Sequence, residues 1–474
     1  MTNVLDKLQA LFVEWCGMKA NVITPLPVAG SHRRYWRLAA GTNSVIGAWN
    51  PVPEENEAFF HFTDHFHKNG LHVPELYKID PGREVYLLED LGDNSLFSML
   101  EHNSDDGKIS GEVIEFYRKS LSDLIKFQVT AGKGIDYRYC YPNERFDKRS
   151  IMWDLNYFKY YFLKLHVSFH EGRLETDFEQ LADYLLQAGS DYFMFRDFQA
   201  RNIFIKNNKP YFIDYQGGRK GPLQYDVASL LFQVKADLPF ELRTQLLEHY
   251  LDELSLIIPF DRKEFERYYN GFVLLRLLQV LGAYGFRGLI EKKPHFLASI
   301  PYALKNLDWW LNHINFPLEM PELRNALKIL ARIDKYKHHS QKTENEKLTV
   351  TIKSFSYKKG YPEDDSGNGG GFVFDCRALP NPGREEKYRA YNGKDQIIID
   401  YLKDKPEVLD FLENAEKIIS SSVENYLERG FKDLSVNFGC TGGQHRSVYC
   451  TETMAKRLSQ KYSNVEFKVE HLNI

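Results

Sequence analysis

Two neighbouring segments, Phe195-Arg-Asp-Phe-Gln-Ala-Arg-Asn202 and Phe212-Ile-Asp-Tyr-Gln216, constrain this chain more than any other feature. Asp197 and Asn202 share one short loop, and Asp214 follows a compact Lys-Pro turn and the apolar run Tyr211-Phe-Ile213. Phosphoryl transfer asks a protein for positioning and charge neutralisation: one carboxylate orients the acceptor hydroxyl, while an Asn and a second carboxylate hold magnesium on the phosphates. Asp197 fits the first role. Asn202 and Asp214 fit the second, because magnesium prefers hard oxygen ligands and takes the rest from phosphates and water. Asp and Asn more often simply cap turns. Here the β-type run before Asp214, the pair Gly217-Gly218 behind it and the apolar helix opened by Tyr225-Asp-Val-Ala-Ser-Leu-Leu231 supply the context that a catalytic motif requires.

At 474 residues the chain exceeds the size at which one core keeps growing, so two or three domains are expected. A net charge of -4 argues against a broadly basic nucleic-acid surface. Five cysteines, Cys16, Cys140, Cys376, Cys440 and Cys450, have neither disulfide-framework nor zinc spacing, which suits reduced thiols in a cytoplasm. The start of the chain has no apolar signal core, and no run is expected to reach the roughly 20 apolar residues of a membrane span. Residues 1 to about 90 read as short strands with one helix. Helical periodicity dominates 110–190 and 228–335. Within it, the aromatic stripe Phe158-Lys-Tyr-Tyr-Phe162 reads as core, and Arg276, inside an apolar helix, calls for an anionic partner, an internal carboxylate before a substrate. Residues 335–347 lose apolar periodicity and read as a polar linker.

The run Arg196 to Leu231, with Gly221-Pro-Leu-Gln-Tyr-Asp226 inside it, resembles the aminoglycoside phosphotransferase-like kinases, and within them the anomeric kinases of N-acetylmuramate and N-acetylglucosamine used in cell-wall recycling. Gly30-Ser-His-Arg-Arg-Tyr-Trp-Arg-Leu38, Leu87-Leu-Glu-Asp-Leu-Gly-Asp93 and Leu278-Gln-Val-Leu-Gly-Ala-Tyr-Gly285 extend the resemblance over about residues 1–330. It implies a multidomain α+β chain with a bilobal, protein-kinase-like first part: a small β lobe with hinge over 1–93 and a helical lobe over 94–334. It also implies ATP as donor, Mg2+, and an amino-sugar acceptor. Gly30, Ser31, Arg33, Arg34, Glu89 and Leu91 would then meet the nucleotide, with Arg196, Gln199 and Asp226 supporting the catalytic loop. One departure stands out: Ser44-Val-Ile-Gly-Ala-Trp-Asn50 lacks the lysine that a kinase strand offers to the phosphates. Arg33 or Arg34 is the replacement candidate, although either also reads as a solvated hairpin charge. Glu57 reads as a surface charge that could instead order the phosphate site. Aminoglycoside or choline-type kinases, and a binding protein with a vestigial kinase, remain alternative readings.

A second chemistry lies beyond the linker. Leu434-Ser-Val-Asn-Phe438 reads as a strand, Gly439-Cys-Thr-Gly-Gly-Gln-His-Arg446 as a glycine-rich turn, and Ser447 as the start of a helix. Such a turn converges backbone N–H groups at a partly positive helix start, a cradle for an anion. Arg446 is expected to clamp the anion bidentately, with His445 as a second donor. Cys440 lies six residues before Arg446, the spacing of a cysteine phosphatase, so binding and hydrolysis compete. Together with Ser354-Phe-Ser-Tyr-Lys-Lys-Gly360 and Phe374-Asp-Cys-Arg-Ala-Leu-Pro-Asn-Pro382, the loop resembles the C-terminal domain of the RapZ-type RNase adapter over 348–474. That resemblance implies an α/β domain that senses an amino-sugar phosphate through Asp375, Arg377, Asn381, Cys440, Thr441, Gly442, Gly443, Gln444, His445, Arg446 and Ser447. It also implies self-association, and the joining of an amino-sugar kinase-like part to a domain of this kind predicts that the ligand regulates the kinase. Residues 348–474 carry 18 Lys plus Arg against 19 Asp plus Glu, and the chain stops at Ile474 without the basic extension of that family, so RNA binding is not expected.

Overall fold

The computed structural model describes residues 2–27, 33–102, 109–333, 336, 347–362, 371–428 and 431–474. The chain divides into two compact units, Met1–Arg287 with Ala298–Ser340, and Gly288–Leu297 with Gln341–Ile474. All but Tyr336 and Lys347 of the 335–347 segment lies outside the described residues.

The first unit opens with an antiparallel sheet of β1 (Val22–Pro25), β2 (Arg34–Ala40), β3 (Asn43–Trp49), β4 (Leu76–Ile79) and β5 (Val85–Glu89), in the order β1-β2-β3-β5-β4. Two helices accompany these strands where one was expected. In Thr2–Cys16, Leu8, Leu11 and Phe12 recur at helical spacing and bury against Leu38, Val45, Val85 and Leu87. Helix Pro53–Lys68 starts with Pro at its first turn and with Glu54 and Glu55, whose charges suit the positive end of the helix dipole. It sends Phe59, Phe60, Phe62 and Phe66 inward, and Phe59 stacks on Tyr215, 5.3 Å between ring centroids. The Tyr215 hydroxyl lies 2.6 Å from that of Thr63. This contact ties the small lobe to the segment that follows Asp214.

Helices dominate the rest of the unit, as the periodicity predicts. Two short sheets interrupt them: β6 (Tyr192–Met194) with β9 (Arg219–Gly221), and the hairpin β7 (Ile203–Lys206) with β8 (Lys209–Phe212). Asn207 and Asn208 turn that hairpin with φ of 51° and 60°, the left-handed pair of a two-residue turn whose twist matches the strands. In the aromatic stripe, Phe158 and Phe162 are buried but Tyr160 points out, 51 % exposed, and Lys159 is buried between Glu171 and Glu175.

Contrary to the expectation of no such run, Arg262–Ile290 is long and apolar enough to cross a membrane by length and composition. Here Arg262–Tyr284 is a core helix, continuously buried from Gly271 to Leu278 with Arg276 in that stretch. It crosses Lys148–Tyr161 at Gly282, where a Cβ would stand 2.8 Å from the Phe158 amide nitrogen. Such backbone proximity leaves no side chain free to give way.

In the second unit β10 (Thr349–Ser356), β11 (Phe372–Asp375), β12 (Asp433–Cys440) and β13 (Glu466–His471) form a parallel sheet in the order β11-β12-β10-β13. Ile352, Val436 and Phe438 pack with Leu412 and Ile419 of helix Pro406–Glu428 and with Met454 and Leu458 of helix Arg446–Lys461. The fold is thus the anticipated multidomain α+β chain: an antiparallel lobe, a helical lobe and a parallel α/β domain. Gly282→Val should destabilise the chain by about 2 kcal/mol through overpacking, read as a lower urea midpoint with unchanged slope.

Candidate active site

The loop after β6 is held from beneath by one buried carboxylate. Asp226 accepts the amide of Phe195 at 2.7 Å and that of Arg196 at 2.8 Å, and Gln128 donates to it at 3.2 Å. Burial pushes the Asp226 carboxyl up to about 7 while these donors pull it back. Arg196 has φ of 76° and donates through its side chain to Asp154 at 3.2 Å. Gln199 contributes its carbonyl, which accepts the Asn202 amide at 2.8 Å. Gln233, unforeseen from sequence, accepts the Ala200 amide at 2.7 Å.

Braced in this way, the three candidate residues converge. Asn202 donates its side-chain amide to the Asp197 carbonyl at 2.9 Å and to Asp214 Oδ2 at 3.1 Å, while Gln216 donates to Asp214 Oδ1 at 2.7 Å. Burial first, then the charge of Asp197, raises the Asp214 carboxyl above its ordinary range. Asp214 also takes a positive φ, 69°, a conformation that a non-glycine residue keeps only when its surroundings over-determine it. Asp197 remains open, its side chain 43 % exposed. Arg276 finds the internal carboxylate it calls for, and that carboxylate is Asp197: Nη2 lies 3.9 Å from Oδ1, with Nη1 on Tyr225 and Gln279.

The donor set suits a hard divalent cation. With its NH2 group turned to Asp197 and Asp214, Asn202 keeps Oδ1 as an acceptor, beside a desolvated carboxylate that a cation would relieve. No group of three or more His, Cys, Asp or Glu that could hold a metal occurs among the described residues. A cation here would take its other ligands from substrate oxygens and water.

On the nucleotide side, Gly30 and Ser31 lie outside the described residues. Arg33 is buried against Glu55, whereas Arg34 leads β2 and donates to the Arg33 carbonyl at 3.4 Å. Glu57 pairs with Arg83 on the surface. Glu89 and the half-buried Asp90 close the hinge: Lys206 donates to Glu89 at 2.6 Å and to the Asp90 carbonyl at 3.0 Å, and Arg37 binds Asp90 and Asp93. Leu91 is buried beside them. Lys206 carries no motif in sequence, and Arg37, though inside the Gly30–Leu38 run, shows its partners Asp90 and Asp93 only in the fold.

In the second unit Asn381, Gly383, Arg389, Thr441, Gln444 and Arg446 are among the residues around an open hollow of about 270 Å³, with Cys440, Gly442 and His445 completing its loop side. Arg377 lines an adjoining hollow, which shares Asn381, Thr441 and Arg446. Asp375 sits beyond, paired with Arg377 at 2.7 Å, and Gly443 turns the loop at φ of 69°. The helix begins at Arg446 rather than Ser447. Two donors differ from expectation. His445 Nε2 lies 3.0 Å from the Tyr388 carbonyl, and Arg446 Nη1 donates to the carbonyls of Arg377 and Leu379. Buried polar groups take backbone partners when they can, so these side chains knit the loop to residues 377–391. Only the Nε edge of Arg446, buried and without a hydrogen-bond partner, remains to meet an anion. Cys440 Sγ is 3.2 Å from Ser447 Oγ. Burial pushes this thiol up, but Ser447, the Gly443 amide and Arg446 outweigh it and hold it below the usual range.

Residues 22–266 match the phosphotransferase enzyme family. That is over half of the chain, which therefore belongs to this family. Residues 348–474 match the RapZ C-terminal domain. Among curated relatives, a nucleotide-binding protein of Cereibacter sphaeroides is 41% identical over 114 residues, 24% of this chain and 36% of that protein. One of Clostridium botulinum is 30% identical over 167 residues, 33% of this chain and 54% of that one. The chain thus spans about a third to a half of the length of these relatives. Similar solved structures include amicoumacin kinase in complex with AMP-PNP, Ca2+ and Ami, with TM-score 0.46, 12% identity, and 63% of this chain and 92% of that chain covered. A choline/ethanolamine kinase family protein from Mesorhizobium loti gives 0.43 and 13%, with 71% and 98% covered.

Asp226→Ala should leave the Phe195 and Arg196 amides buried without an acceptor. The expected destabilisation is about 2–3 kcal/mol, measured by denaturant unfolding, with a larger loss of turnover than of folded protein.

Proposed function

We propose that the chain is an ATP-dependent kinase that phosphorylates a hydroxyl, the anomeric one, of an amino sugar such as N-acetylmuramate or N-acetylglucosamine in the cytoplasm. The convergence of Asp197, Asn202 and Asp214 on one loop and hairpin carries this reading. Asp197, exposed at the cleft, accepts the proton of the acceptor hydroxyl as its oxygen attacks the γ-phosphorus and the bond to the β-phosphate oxygen breaks, leaving ADP. Asn202 and Asp214 would hold Mg2+, which would supply charge neutralisation on the phosphates. Arg276 steadies the Asp197 carboxylate from behind. In this reading residues 1–93 and 94–334 are the two kinase lobes, 335–347 is the linker and 348–474 is the sensing domain.

Asp197→Asn should lower kcat by about 10²–10⁴-fold while the Kd for ATP stays unchanged. Phosphorus NMR of ATP, Mg2+ and a panel of amino sugars, aminoglycosides and choline tests the acceptor. A sugar 1-phosphate is the expected product, and turnover of aminoglycosides or choline alone would overturn the amino-sugar assignment.

For the second unit we propose binding of an amino-sugar phosphate at the glycine loop. The unpartnered Nε edge of Arg446 at the mouth of a helix start supports binding, and the 3 % exposure of Cys440 favours it over hydrolysis. Glucosamine-6-phosphate should raise the melting temperature of the wild-type chain. Arg446→Ala should weaken that binding by about tenfold or more, given the strength of a charge-assisted hydrogen bond.

A further inference from the structure

Alternate residues of a strand share a face, so Arg33, Tyr35 and Arg37 look the same way along β2, while Leu38 and Ala40 belong to the core beneath helix Thr2–Cys16. Arg37 ends at the hinge on Asp90. At the other end Arg33 is only 4 % exposed, its Nη2 3.5 Å from Glu55 Oε1 and 3.4 Å from the Glu55 carbonyl. Its guanidinium lies 5.6 Å from the centre of the Phe59 ring, and Phe59 stacks on Tyr215, the residue after Asp214. Asn50, at the end of β3, donates to the other Glu55 oxygen at 3.0 Å. Tyr35 of β2 pairs with Ala48 of β3, and β3, Asn43–Trp49, carries no lysine or arginine.

We propose that Arg33, oriented by Glu55, is the phosphate-positioning cation of this kinase, supplied by the start of β2 instead of by a lysine on β3. The inference rests on the kinase reading above and deepens it. Burying a guanidinium requires compensation, and Glu55, itself held by Asn50, and the Tyr35 hydroxyl both stand against Arg33 and orient it. Through Phe59, which stacks on Tyr215 next to Asp214, Arg33 is on the same side of the small lobe as the segment that carries the metal-binding carboxylate. A guanidinium presents a planar fork to phosphate oxygens where an ammonium is a point charge. Arginine delivered from the neighbouring strand therefore needs no lysine at position 48. Glu55, one turn into helix Pro53–Lys68, takes the orienting role, and Glu57 on the same helix faces Arg83 at the surface.

The test compares Arg33→Ala, Arg33→Lys, Glu55→Gln and the surface control Glu57→Gln in the full chain. Calorimetry gives the Kd for ATP and for adenosine, and turnover and melting temperature are measured alongside. Arg33→Ala should weaken ATP by about tenfold or more and leave adenosine unchanged, with kcat reduced; Arg33→Lys should recover part of the ATP affinity, Glu55→Gln should show a milder version of the same selective loss, and Glu57→Gln should match wild type. Equal losses for ATP and adenosine with a lower melting temperature would make Arg33 structural only and overturn the proposal, as would an Arg33→Ala protein with unchanged ATP affinity. A wild-type chain that binds ATP but phosphorylates nothing would sink the kinase reading, while a phosphate-selective loss in Arg33→Ala would still support this assignment. A wild-type chain without ATP affinity overturns both.

Discussion

One amide, that of Asn202, joins the Asp197 carbonyl to the buried Asp214 carboxylate, whose ionised form is opposed first by burial and then by the charge of Asp197. Like charges in a desolvated cleft are tolerated only when donors and cations surround them. The protein supplies these from separate elements: Gln216 and Asn202 on Asp214, and Arg276 on Asp197. A divalent cation would complete the set. An Asn→Ala change at 202 would therefore remove more than a ligand, because the same amide joins the Asp197 carbonyl to the Asp214 carboxylate.

The brace beneath this arrangement is of a different kind. Asp226 is wholly buried and accepts two consecutive amides from a loop whose Arg196 has a positive φ. The two bonds fix that backbone where strand propensity alone would not. Phe195, in the position where many kinases carry a histidine, packs against Phe127, Phe198 and Tyr215. An aromatic cluster thus holds the loop by packing, and Tyr215 extends the cluster to Phe59 in the small lobe. Helix Pro53–Lys68 and the segment after Asp214 are joined through that stack and through Thr63.

Sequence made the local chemistry legible and left the long-range partners hidden. Asp197, Asn202 and Asp214 could be read because their spacing lies within one loop and one hairpin, where chain geometry fixes proximity. Gln233, Lys206 and Arg37 could not: each meets its partner across tens of residues, as with Lys206 and Glu89, and no periodicity encodes such a meeting. Between Glu55 and Glu57 the sequence offers no choice, since both begin the same helix; only the fold turns one toward Arg33 and the other toward Arg83. The helix Arg262–Tyr284 shows the opposite failure. Its composition suits a membrane, yet Gly282 and Arg276 are residues of a crowded protein core, one for a backbone crossing and one for an ionic contact.

The glycine loop of the second unit follows a logic distinct from that of the kinase cleft. There, charged side chains face one another across a gap that a substrate would fill. Here Gln444, His445 and Arg446 face the carbonyls of residues 377–391, so the hollow is shaped before any ligand arrives and little side-chain ordering remains to oppose binding. Preorganisation of that kind suits recognition of a small anion at low concentration. It suits turnover less, because Cys440 is almost fully covered and its sulfur is already engaged by Ser447. A nucleophile must reach its target along an open line, and in this loop backbone amides and the edge of Arg446 hold the accessible positions.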